Sequence, residues 1–286
     1  MSLAPGFHAL PAAQYHADEI ADSPSLSNSV AQVILRESPR KASFIHPRLN
    51  PDYREKQEDK FDIGSASHSL FLEGDDCMVV VAADDWRTKV AQEQRAEARR
   101  SGKIPVLGYQ ADKVRAMVKA ARDFVAQSEI AEFWNAPDAK SEVTAVWKEG
   151  SVWLRARMDR FSHARKFIGD YKSTADASPE PFSRLLVRMG YHIQDAFYRR
   201  ACRANGIPDP RFVFLVQSTE QPHECSLHGC DPALQQIADY DVERAIGIWR
   251  DCMTRKEWPS YDKRIHWAMP STWMIQEHEM RLLEAA

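Results

Sequence analysis

Residues 142–174 read EVTAVWKEGSVWLRARMDRFSHARKFIGDYKST, and this stretch decides the fold. Apolar and polar residues alternate along three of its segments, as they do in strands that bury one face. Glu149 and Gly150 supply a tight turn between the first two segments. The stretch therefore predicts three consecutive strands, EVTAVWKEG, SVWLRARMDRF and KFIGDYKST.

The second and third of these strands carry polar side chains that can meet. Alternation places Asp159 on the polar face of the second strand, opposite the face that carries Met158. Asp170 and Lys172 are two residues apart in the third strand, so their side chains project to the same side. If the two strands pair, Asp159 approaches that pair. An Asp-X-Lys sequence alone is more typical of a surface ion pair of little energetic weight.

Converging carboxylates predict a metal site. Two carboxylates that meet without neutralisation repel each other, and Mg²⁺ prefers a few carboxylate oxygens, retained water molecules and a substrate phosphate. A phosphodiester would complete such a site, because the cation stabilises charge on phosphoryl oxygens and lowers the pKa of an attacking water. Lys172 would orient that water or offset negative charge, and Glu142, near the start of the first strand, would add a carboxylate.

Before the sheet, the sequence predicts two helices. Ser27 is suited to cap one that stops before Pro39, and the opening segment to about residue 60 is otherwise loop. FDIGSASHSLFLEG, residues 61–74, predicts a helix with Gly64 and His68 on one face. A lone histidine is more often structural than a ligand, so His68 gains weight as a candidate only beside the carboxylates.

A further amphipathic helix is predicted over residues 111–134 from the spacing of its apolar residues. Residues 87–103, RTKVAQEQRAEARRSGK, are strongly charged and fit either a solvated helix or a mobile loop. Arg95, Arg99 and Arg100 in this segment are candidate contacts to DNA phosphates, although a plain solvated face fits the same charges. Four arginines of a later helix are similar candidates: Arg184, Arg188, Arg199 and Arg200.

That later helix is predicted as one continuous element over residues 178–206, beginning at prolines suited to a first turn. Its apolar side would hold Phe182, Leu185, Leu186, Met189, Ile193 and Phe197. Gln194 and Tyr198 lie one turn apart and off that side, where they could contact a phosphate or Lys172. The remaining predicted elements are a buried strand over residues 211–217, a strand over 223–231 and a helix over 232–256.

Composition sets the class of protein. The 286 residues are 44% hydrophobic and 28% charged, which is typical of a folded globular protein. No stretch approaches the roughly 18 apolar residues of a membrane-spanning helix, and the first residues lack the order of a signal peptide. We therefore expect a cytoplasmic protein with no membrane partner. The net charge of −3 does not exclude nucleic acid, since basic residues can be confined to one face.

Five cysteines are scattered along the chain without a CxxC motif, so a disulfide framework is not expected. HECSLHGC, residues 223–230, holds ligand-type residues at short spacing. In a strand, however, His223 and Cys225 would face away from His228 and Cys230, so one ion could not easily reach all four. We interpret this segment as an ordinary strand.

The polar candidates follow one order along the chain: Gly64-x-x-x-His68, Glu142, Asp159, Asp170-Tyr171-Lys172, Gln194-x-x-x-Tyr198. This order resembles the RecB-like form of the PD-(D/E)XK nuclease pattern, which is GxxxH, E, D, (D/E)xK and QxxxY. Five elements in order are far more specific than any one of them. The wider setting is similar to the RecE-type (exodeoxyribonuclease VIII-like) exonuclease domain of phage and prophage recombination systems, and the similarity spans most of the chain.

This resemblance implies one exonuclease domain over residues 1–286, with a helical N-terminal segment of about 60 residues. The implied fold is α/β, with a central mixed sheet flanked by helices. The implied metal ligands are His68, Asp159 and Asp170, completed by Glu142 and the Tyr171 carbonyl. Lys172 would be catalytic together with the three carboxylates. Support of the site and contacts to DNA would come from Gln194, Tyr198 and Gly64.

The resemblance also implies a cofactor and partners. The cofactor would be Mg²⁺, with Mn²⁺ able to substitute, and the substrate would be double-stranded DNA ends digested on one strand from the 5′ end. A ring-like trimer or tetramer and a single-strand annealing protein are the implied protein partners. Several RecB-like relatives bind an iron–sulfur cluster through a cysteine before the GxxxH segment. This chain has no cysteine before Cys77, so no cluster is expected.

Two alternatives stay open. The first is a related nuclease with other polarity or a preference for single strands, and the second is a non-catalytic module that binds DNA ends. The intact carboxylates and lysine argue against the second, because a decayed nuclease would be expected to lose one of them. Polarity, processivity, oligomer number and the choice between one and two metal ions are left open by the sequence.

Overall fold

A mixed seven-stranded sheet lies at the centre of the part of the chain that the computed structural model describes, residues 2–53, 62–74 and 77–284. The strands are β1 (Gly6–His8), β2 (Leu26–Ser27), β3 (Met78–Val81), β4 (Ile104–Leu107), β5 (Lys140–Glu149), β6 (Val152–Ser162), β7 (Phe167–Thr174), β8 (Arg211–Ser218) and β9 (Cys225–His228). The order across the sheet is β1-β5-β6-β7-β8-β9, and β2 joins the edge of β6. The β2–β6 and β7–β8 pairs are parallel, and the other pairs of this sheet are antiparallel. β3 and β4 form a separate parallel pair.

Helices cover both faces of the large sheet. They are α1 (Ala12–His16), α2 (Asn28–Arg36), α3 (Pro39–Ile45), α4 (Asp62–Leu72), α5 (Lys89–Arg100), α6 (Gly108–Gln127), α7 (Ala131–Trp134), α8 (Pro179–Met189), α9 (Tyr191–Ala204), α10 (Pro232–Arg255) and α11 (Thr272–Glu284). One core packs α2, α9 and α10 on the sheet, and another packs α6 and α7 on its opposite face. The predicted α/β fold, a mixed sheet flanked by helices, is confirmed. No helix among the described residues is both long and apolar enough to cross a membrane.

The N-terminal segment is richer than predicted. Ser27 caps α2 as expected, since its side chain accepts a hydrogen bond from the Val30 amide. The same segment also contributes β1, β2, α1 and α3, where the sequence predicted loop. Residues 54–60, the end of the predicted segment, lie outside the described residues.

One edge of β6 has two different partners, and the space between them matters most for the site. β2 pairs with this edge at Leu154 and Arg155, and β7 pairs with it from Arg160 to Ser162. No described strand pairs with the edge over residues 156–159. The Tyr171 amide of β7 donates instead to the Asp159 carboxylate at 2.8 Å. β6 and β7 therefore separate where their acidic residues lie.

The prediction of one helix over residues 178–206 is wrong, because α8 and α9 are separate. Gly190 between them has a φ of 75°, which favours glycine. A Cβ at this position would lie 2.5 Å from Nη2 of Arg36, so the end of this α2 side chain would have to move to admit a larger residue. The break explains why Met189, predicted on the apolar side, is 45% exposed.

Two other segments correct or complete the sequence predictions. The helix predicted over residues 111–134 is α6 and α7, which are separated at Ser128, where the backbone is extended. The charged segment over residues 87–103 contains a helix, α5, and is not a loop. The Thr88 side chain caps it by accepting a hydrogen bond from the Ala91 amide.

The strand predicted over residues 223–231 is shorter than expected. β9 holds only Cys225 and His228 of the four ligand-type residues. His223 precedes the strand with a φ of 64°, and Cys230 follows it. The side-chain group with metal-binding geometry among the described residues lies elsewhere and includes none of these four.

Candidate active site

Three of the predicted site residues meet beside residues 156–159 of β6, where one edge of this strand is unpaired. Nε2 of His68 lies 3.0 Å from Oδ2 of Asp159, and its Nδ1 lies 3.8 Å from Oε1 of Glu142. One ligand atom from each of the three residues lies within 4.8 Å of the other two. We call this group the histidine–carboxylate cluster. One imidazole and two carboxylates form a suitable donor set for a divalent transition metal or for Mg²⁺ with retained water.

Local backbone features bring these side chains together. α4 carries His68 and approaches β7 closely at Gly64, where a Cβ would lie 2.9 Å from Oγ of Ser173. Glu142 has a φ of 56° and interrupts the regular pairing of β5 with β6. Such a conformation is uncommon for a residue with a side chain and turns Glu142 out of the regular alternation. The strand pattern alone therefore does not place Glu142.

Arg157 is a neighbour that the sequence interpretation did not assign to the site. Its Nε donates a hydrogen bond to Oε2 of Glu142, and its Nη1 donates to the Leu10 carbonyl at 2.6 Å. Alternation along β6 places Arg157 on the same face as Asp159, which is the signal that could have identified it. Oε1 of Glu142 is buried and accepts no hydrogen bond from the described residues. This orphaned oxygen fits the predicted metal, because a bound cation would satisfy it.

Asp170 and Lys172 form the second half of the site. Asp170 is fully buried, its carboxylate is paired with the Lys172 ammonium, and it accepts a hydrogen bond from the Gln194 side chain. The strand geometry that predicted these two residues on one side is present. The Lys172 ammonium also lies 5.0 Å from the centre of the Tyr191 ring, within range of a cation–π contact. Tyr191 is the first residue of α9, directly after the break at Gly190. Helical periodicity did not reveal this break, so it did not indicate that Tyr191 lies beside Lys172.

Gln194 and Tyr198 both lie on α9 behind this pair. Tyr198 was expected off the apolar side, but it is buried in the main core against Phe212, so that expectation is wrong. Tyr198 lies one turn after Gln194 on α9, and burial holds the pKa of its hydroxyl well above the ordinary value. The described hydrogen bonds therefore link Gln194 to Asp170, with Tyr198 one turn away in the core.

Tyr171 points its ring to the other face of the sheet. Its hydroxyl donates to Oε1 of Gln217 at 2.5 Å, and its ring packs against Phe71. Its amide is the group that contacts Asp159. Metal ligation by the Tyr171 carbonyl stays a prediction.

The charges of the two halves influence each other. Burial alone would lower the pKa of His68, but the carboxylates of Asp159 and Glu142 outweigh it and raise the pKa to about 9. Burial and the neighbouring Asp159 raise the pKa of Asp170 to about 6, against the lowering effect of Lys172. Burial also raises the pKa of Glu142, and Asp159 adds to this effect. Crowded carboxylates of this kind are stabilised by a cation.

The arginines predicted to contact DNA occupy other parts of the molecule. α5, with Arg95, Arg99 and Arg100, packs on β3 and β4 rather than on the large sheet. The Arg95 guanidinium lies 4.6 Å from the centre of the Trp86 ring. Contact of the three α5 arginines with DNA stays a prediction. On α9, two further candidates are engaged in ion pairs with acidic residues: Arg199 with Asp195 and Asp239, and Arg200 with Glu149 and Glu243.

Sequence comparison agrees with this geometry. The profile of the PDDEXK-like domain of unknown function (DUF3799) matches residues 38–267, which is most of the chain. The chain belongs to this PDDEXK-like family. The matched region contains the whole histidine–carboxylate cluster and the Asp170–Lys172 pair. No curated protein shows significant sequence similarity to this PDDEXK-like chain.

One solved structure shares the fold of this chain. A protein from Eubacterium rectale, provisionally named an exonuclease, is similar with a TM-score of 0.58 at 13% identity, over 94% of this chain and 98% of that one. A phage-related exonuclease from Haemophilus somnus 129PT aligns with a TM-score of 0.32 at 13% identity, over 82% of this chain and 96% of that one. At such identity, the first likeness shows the fold alone, and nothing is built on the second.

Proposed function

We propose that this PDDEXK-like protein is a metal-dependent exonuclease that hydrolyses phosphodiester bonds of linear double-stranded DNA. The proposed direction is 5′ to 3′, which leaves single-stranded tails for recombination. The observation that carries the proposal is the histidine–carboxylate cluster beside the Asp170–Lys172 pair, at the unpaired edge of β6. A lysine paired with one carboxylate, next to other converging carboxylates, suits hydrolysis of a phosphodiester.

The proposed metal is Mg²⁺, with Mn²⁺ able to substitute. The residues that would hold it are His68, Glu142, Asp159 and Asp170, with the Tyr171 carbonyl as a further ligand. When bound, the cation would lower the pKa of a water molecule and neutralise phosphoryl oxygens. Its fit rests on the donor set and on the orphaned Glu142 oxygen.

Lys172 is the proposed catalytic cation. Its ammonium, held by Asp170 and the Tyr191 ring, would orient the attacking water and offset charge on the phosphate. Gln194 would keep the Asp170 carboxylate in place through its hydrogen bond, and Tyr198, one turn further along α9, would support Gln194. Gly64 would allow α4 to bring His68 to the sheet.

The proposed context is a RecE-type domain that occupies residues 1–286 in the cytoplasm. Its proposed partners are double-stranded DNA ends, further copies in a ring-like trimer or tetramer, and a single-strand annealing protein. Support for these finer statements comes from the motif order along the chain and from the PDDEXK-like family match. Arg95, Arg99 and Arg100 are the proposed phosphate contacts outside the site.

Linear duplexes labelled at the 5′ or the 3′ end test the activity. The unmodified protein with Mg²⁺ should release nucleotides from the 5′ end, and both Asp170→Ala and Lys172→Ala should release almost none. Asp176→Ala, which changes an acidic residue in the loop after β7, should act as a matched control with unchanged activity. Omission of the metal should stop release by every variant.

Each failure has a separate meaning. Binding of duplex ends without nucleotide release would favour the non-catalytic module and contradict the enzyme. Release from the 3′ end, or only from single strands, would keep the site and remove the proposed polarity or substrate. Full activity of Asp170→Ala and Lys172→Ala would contradict the assignment of the site.

A further inference from the structure

The last part of the described chain leaves the body of the protein. Trp258 still packs beside Trp249 with ring centres 5.2 Å apart, and the Pro259 carbonyl accepts a hydrogen bond from the Arg40 amide. Beyond this point, every described residue from 260 to 284 is exposed except Glu277, which is partly exposed. We call residues 260–284 the C-terminal arm.

The C-terminal arm carries an unusual amount of exposed apolar surface. Ten of its large apolar side chains are between 45% and 87% exposed: Tyr261, Ile265, Trp267, Met269, Trp273, Met274, Ile275, Met280, Leu282 and Leu283. At an average on the order of 100 Å² for each side chain, the arm offers roughly 1,000 Å² of apolar surface. Exposed apolar patches on monomeric proteins are typically about 300–600 Å² at most, so this surface indicates a binding element.

α11 within the arm needs contacts on more than one side. At 100° per residue, Trp273 and Met280 lie on one side of the helix, and Ile275 and Leu282 lie on the opposite side. A helix that is apolar on several sides is normally enclosed by other elements. α11 has 13 residues, and isolated helices shorter than about 12–15 residues are only marginally stable in water. A partner that surrounds α11 would therefore also stabilise it.

We infer that the C-terminal arm packs on a second copy of this chain. The surface is large enough: roughly 1,000 Å² from the arm and an equal area on the acceptor exceed the approximately 1,200 Å² minimum of a stable specific interface. Every copy carries the same arm, so each copy both provides and receives one, as in exchanged segments of symmetric oligomers. The inference rests on the arm and does not depend on the proposed nuclease activity.

The arm is also long enough to reach a neighbouring copy. Residues 260–271 connect the anchored Pro259 to α11 and form no helix or strand. Twelve extended residues span up to roughly 40 Å, which is about the width of a domain of this size. The connection can therefore carry α11 onto another copy.

Light scattering after size-exclusion chromatography of the full chain tests the interface. The unmodified protein should have a molar mass that is a multiple of one chain. The double variant Trp267→Ser with Trp273→Ser should dissociate, with a dissociation constant raised by roughly 100-fold or more, because buried tryptophans dominate interfaces. The control Val90→Ser with Tyr109→Ser, which changes two side chains that are each 63% exposed and lie outside the arm, should leave the mass unchanged.

Trypsin and circular dichroism provide the second measurement. Lys263 and Arg264 lie in the arm and should be protected in the unmodified oligomer but cut in the dissociated variant. The thermal unfolding of the body should be retained. If the tryptophan variant unfolds, Met269→Ser with Leu283→Ser replaces it and should give the same dissociation.

Three results would overturn the inference. A single-chain mass with a cleavable arm would mean that another partner covers it. A single-chain mass with a protected arm would mean that the arm folds onto its own body. An oligomer that persists in both folded arm variants would mean that another surface holds the copies together.

Discussion

β6 supports two polar clusters of similar composition but of opposite character. Arg155 on this strand contacts Asp18 and lies near His46, and we call these three residues the N-terminal cluster. Two residues further along the strand, Arg157 contacts the histidine–carboxylate cluster. Each of these two arginines thus lies beside a histidine and at least one acidic side chain. The difference between the two clusters shows what separates a structural contact from a candidate active site.

The N-terminal cluster is closed, and its carboxylate and its imidazole have hydrogen-bond partners, although Nε of Arg155 has none among the described residues. Nη1 of Arg155 lies 2.9 Å from Oδ1 of Asp18, and the Ser25 amide donates to Oδ2 of Asp18 at 2.9 Å. His46 is fully buried, with Nε2 at 3.1 Å from the Ser25 carbonyl and Nδ1 at 3.2 Å from the Arg48 amide. These contacts suit a neutral imidazole, with the proton on Nε2. Burial and Arg155 lower the pKa of His46 to about 4.

The histidine–carboxylate cluster is open and incomplete. The His68 side chain is 31% exposed, and the carboxylates around it raise its pKa to about 9. One oxygen of Glu142 has no hydrogen-bond donor among the described residues. Similar residue types therefore serve two purposes: a closed cluster whose carboxylate is paired with buried donors holds the fold, and an open cluster with an unpaired carboxylate oxygen leaves ligand atoms available.

Asp159→Asn should break the open cluster with the largest effect. The change removes a charged ligand while keeping its size, so Mg²⁺ binding should weaken strongly. Activity should fall roughly 1,000-fold or more, because a metal contributes several kcal/mol and about 1.4 kcal/mol corresponds to tenfold. Nuclease assays and isothermal titration with Mg²⁺ measure both effects. The unfolding free energy should stay within about 1 kcal/mol, because relief of carboxylate repulsion offsets the lost His68 contact.

Activity of Asp159→Asn close to that of the unmodified protein would remove Asp159 from the proposed site. A large loss of stability with normal activity of the folded fraction would make the open cluster structural, like its neighbour. Either result would end the contrast between the two clusters.

Asp18→Asn, in the closed cluster, should lower stability and leave activity unchanged, whereas Asp159→Asn should do the reverse. Removing one partner leaves the buried Arg155 charge uncompensated, which costs about 3–5 kcal/mol of unfolding free energy. Asp18 has a φ of 59°, which asparagine tolerates, so the change isolates the charge from backbone strain. Urea unfolding measures the loss, and activity per folded molecule should remain. The exposed Asp22→Asn is the matched control, and an equal loss there would contradict the assignment.

Much of the large sheet and the candidate site could be predicted from local pattern. Alternation over residues 142–174 predicted β5, β6 and β7, and the two-residue spacing of Asp170 and Lys172 predicted their shared side. The motif order added His68 and Glu142 before any contact was known. These features are local in sequence, or they depend on an order that a linear chain preserves.

The rest depends on contacts that leave no local signal. Asp18 and Arg155 are 137 residues apart, and no periodicity links them. Apolar spacing continues through Gly190, so the break between α8 and α9 follows from the left-handed backbone at that residue, which periodicity does not reveal. α11 carries apolar residues on opposite sides, so it lacks the single apolar side from which a surface helix is predicted.

The pH dependence of the unfolding free energy tests whether His46 in the closed N-terminal cluster is neutral, unlike His68 in the open one. Its pKa is about 4 in the folded protein and about 6.5 when unfolded, so the unfolded state binds more protons between these values. Stability should therefore fall as pH drops from about 6.5 to about 4, by about 3 kcal/mol in total. Urea unfolding at a series of pH values measures this slope.

His46→Gln isolates that contribution from other titrating groups. The difference in unfolding free energy between the unmodified protein and this variant should change over the same pH window and be flat above it. A difference that does not depend on pH would show that His46 has the same pKa in the folded and unfolded states, which would contradict the closed character of the N-terminal cluster.

Ser25→Ala should give the smallest effect and tests how much the buried hydroxyl contributes to the closed cluster. The substitution keeps the three backbone contacts of residue 25 and removes only the hydroxyl, which donates to Asp18 and lies 2.7 Å from Nη1 of Arg155. The unfolding free energy should fall by about 1 kcal/mol, since one buried hydrogen-bonding group is lost while the charges remain paired. Ser183→Ala, which removes an exposed hydroxyl that donates to the Pro179 carbonyl, should have a smaller effect. Equal losses in urea unfolding would mean that burial adds nothing at residue 25, and the distinction between a closed and an open cluster would then rest on charge alone.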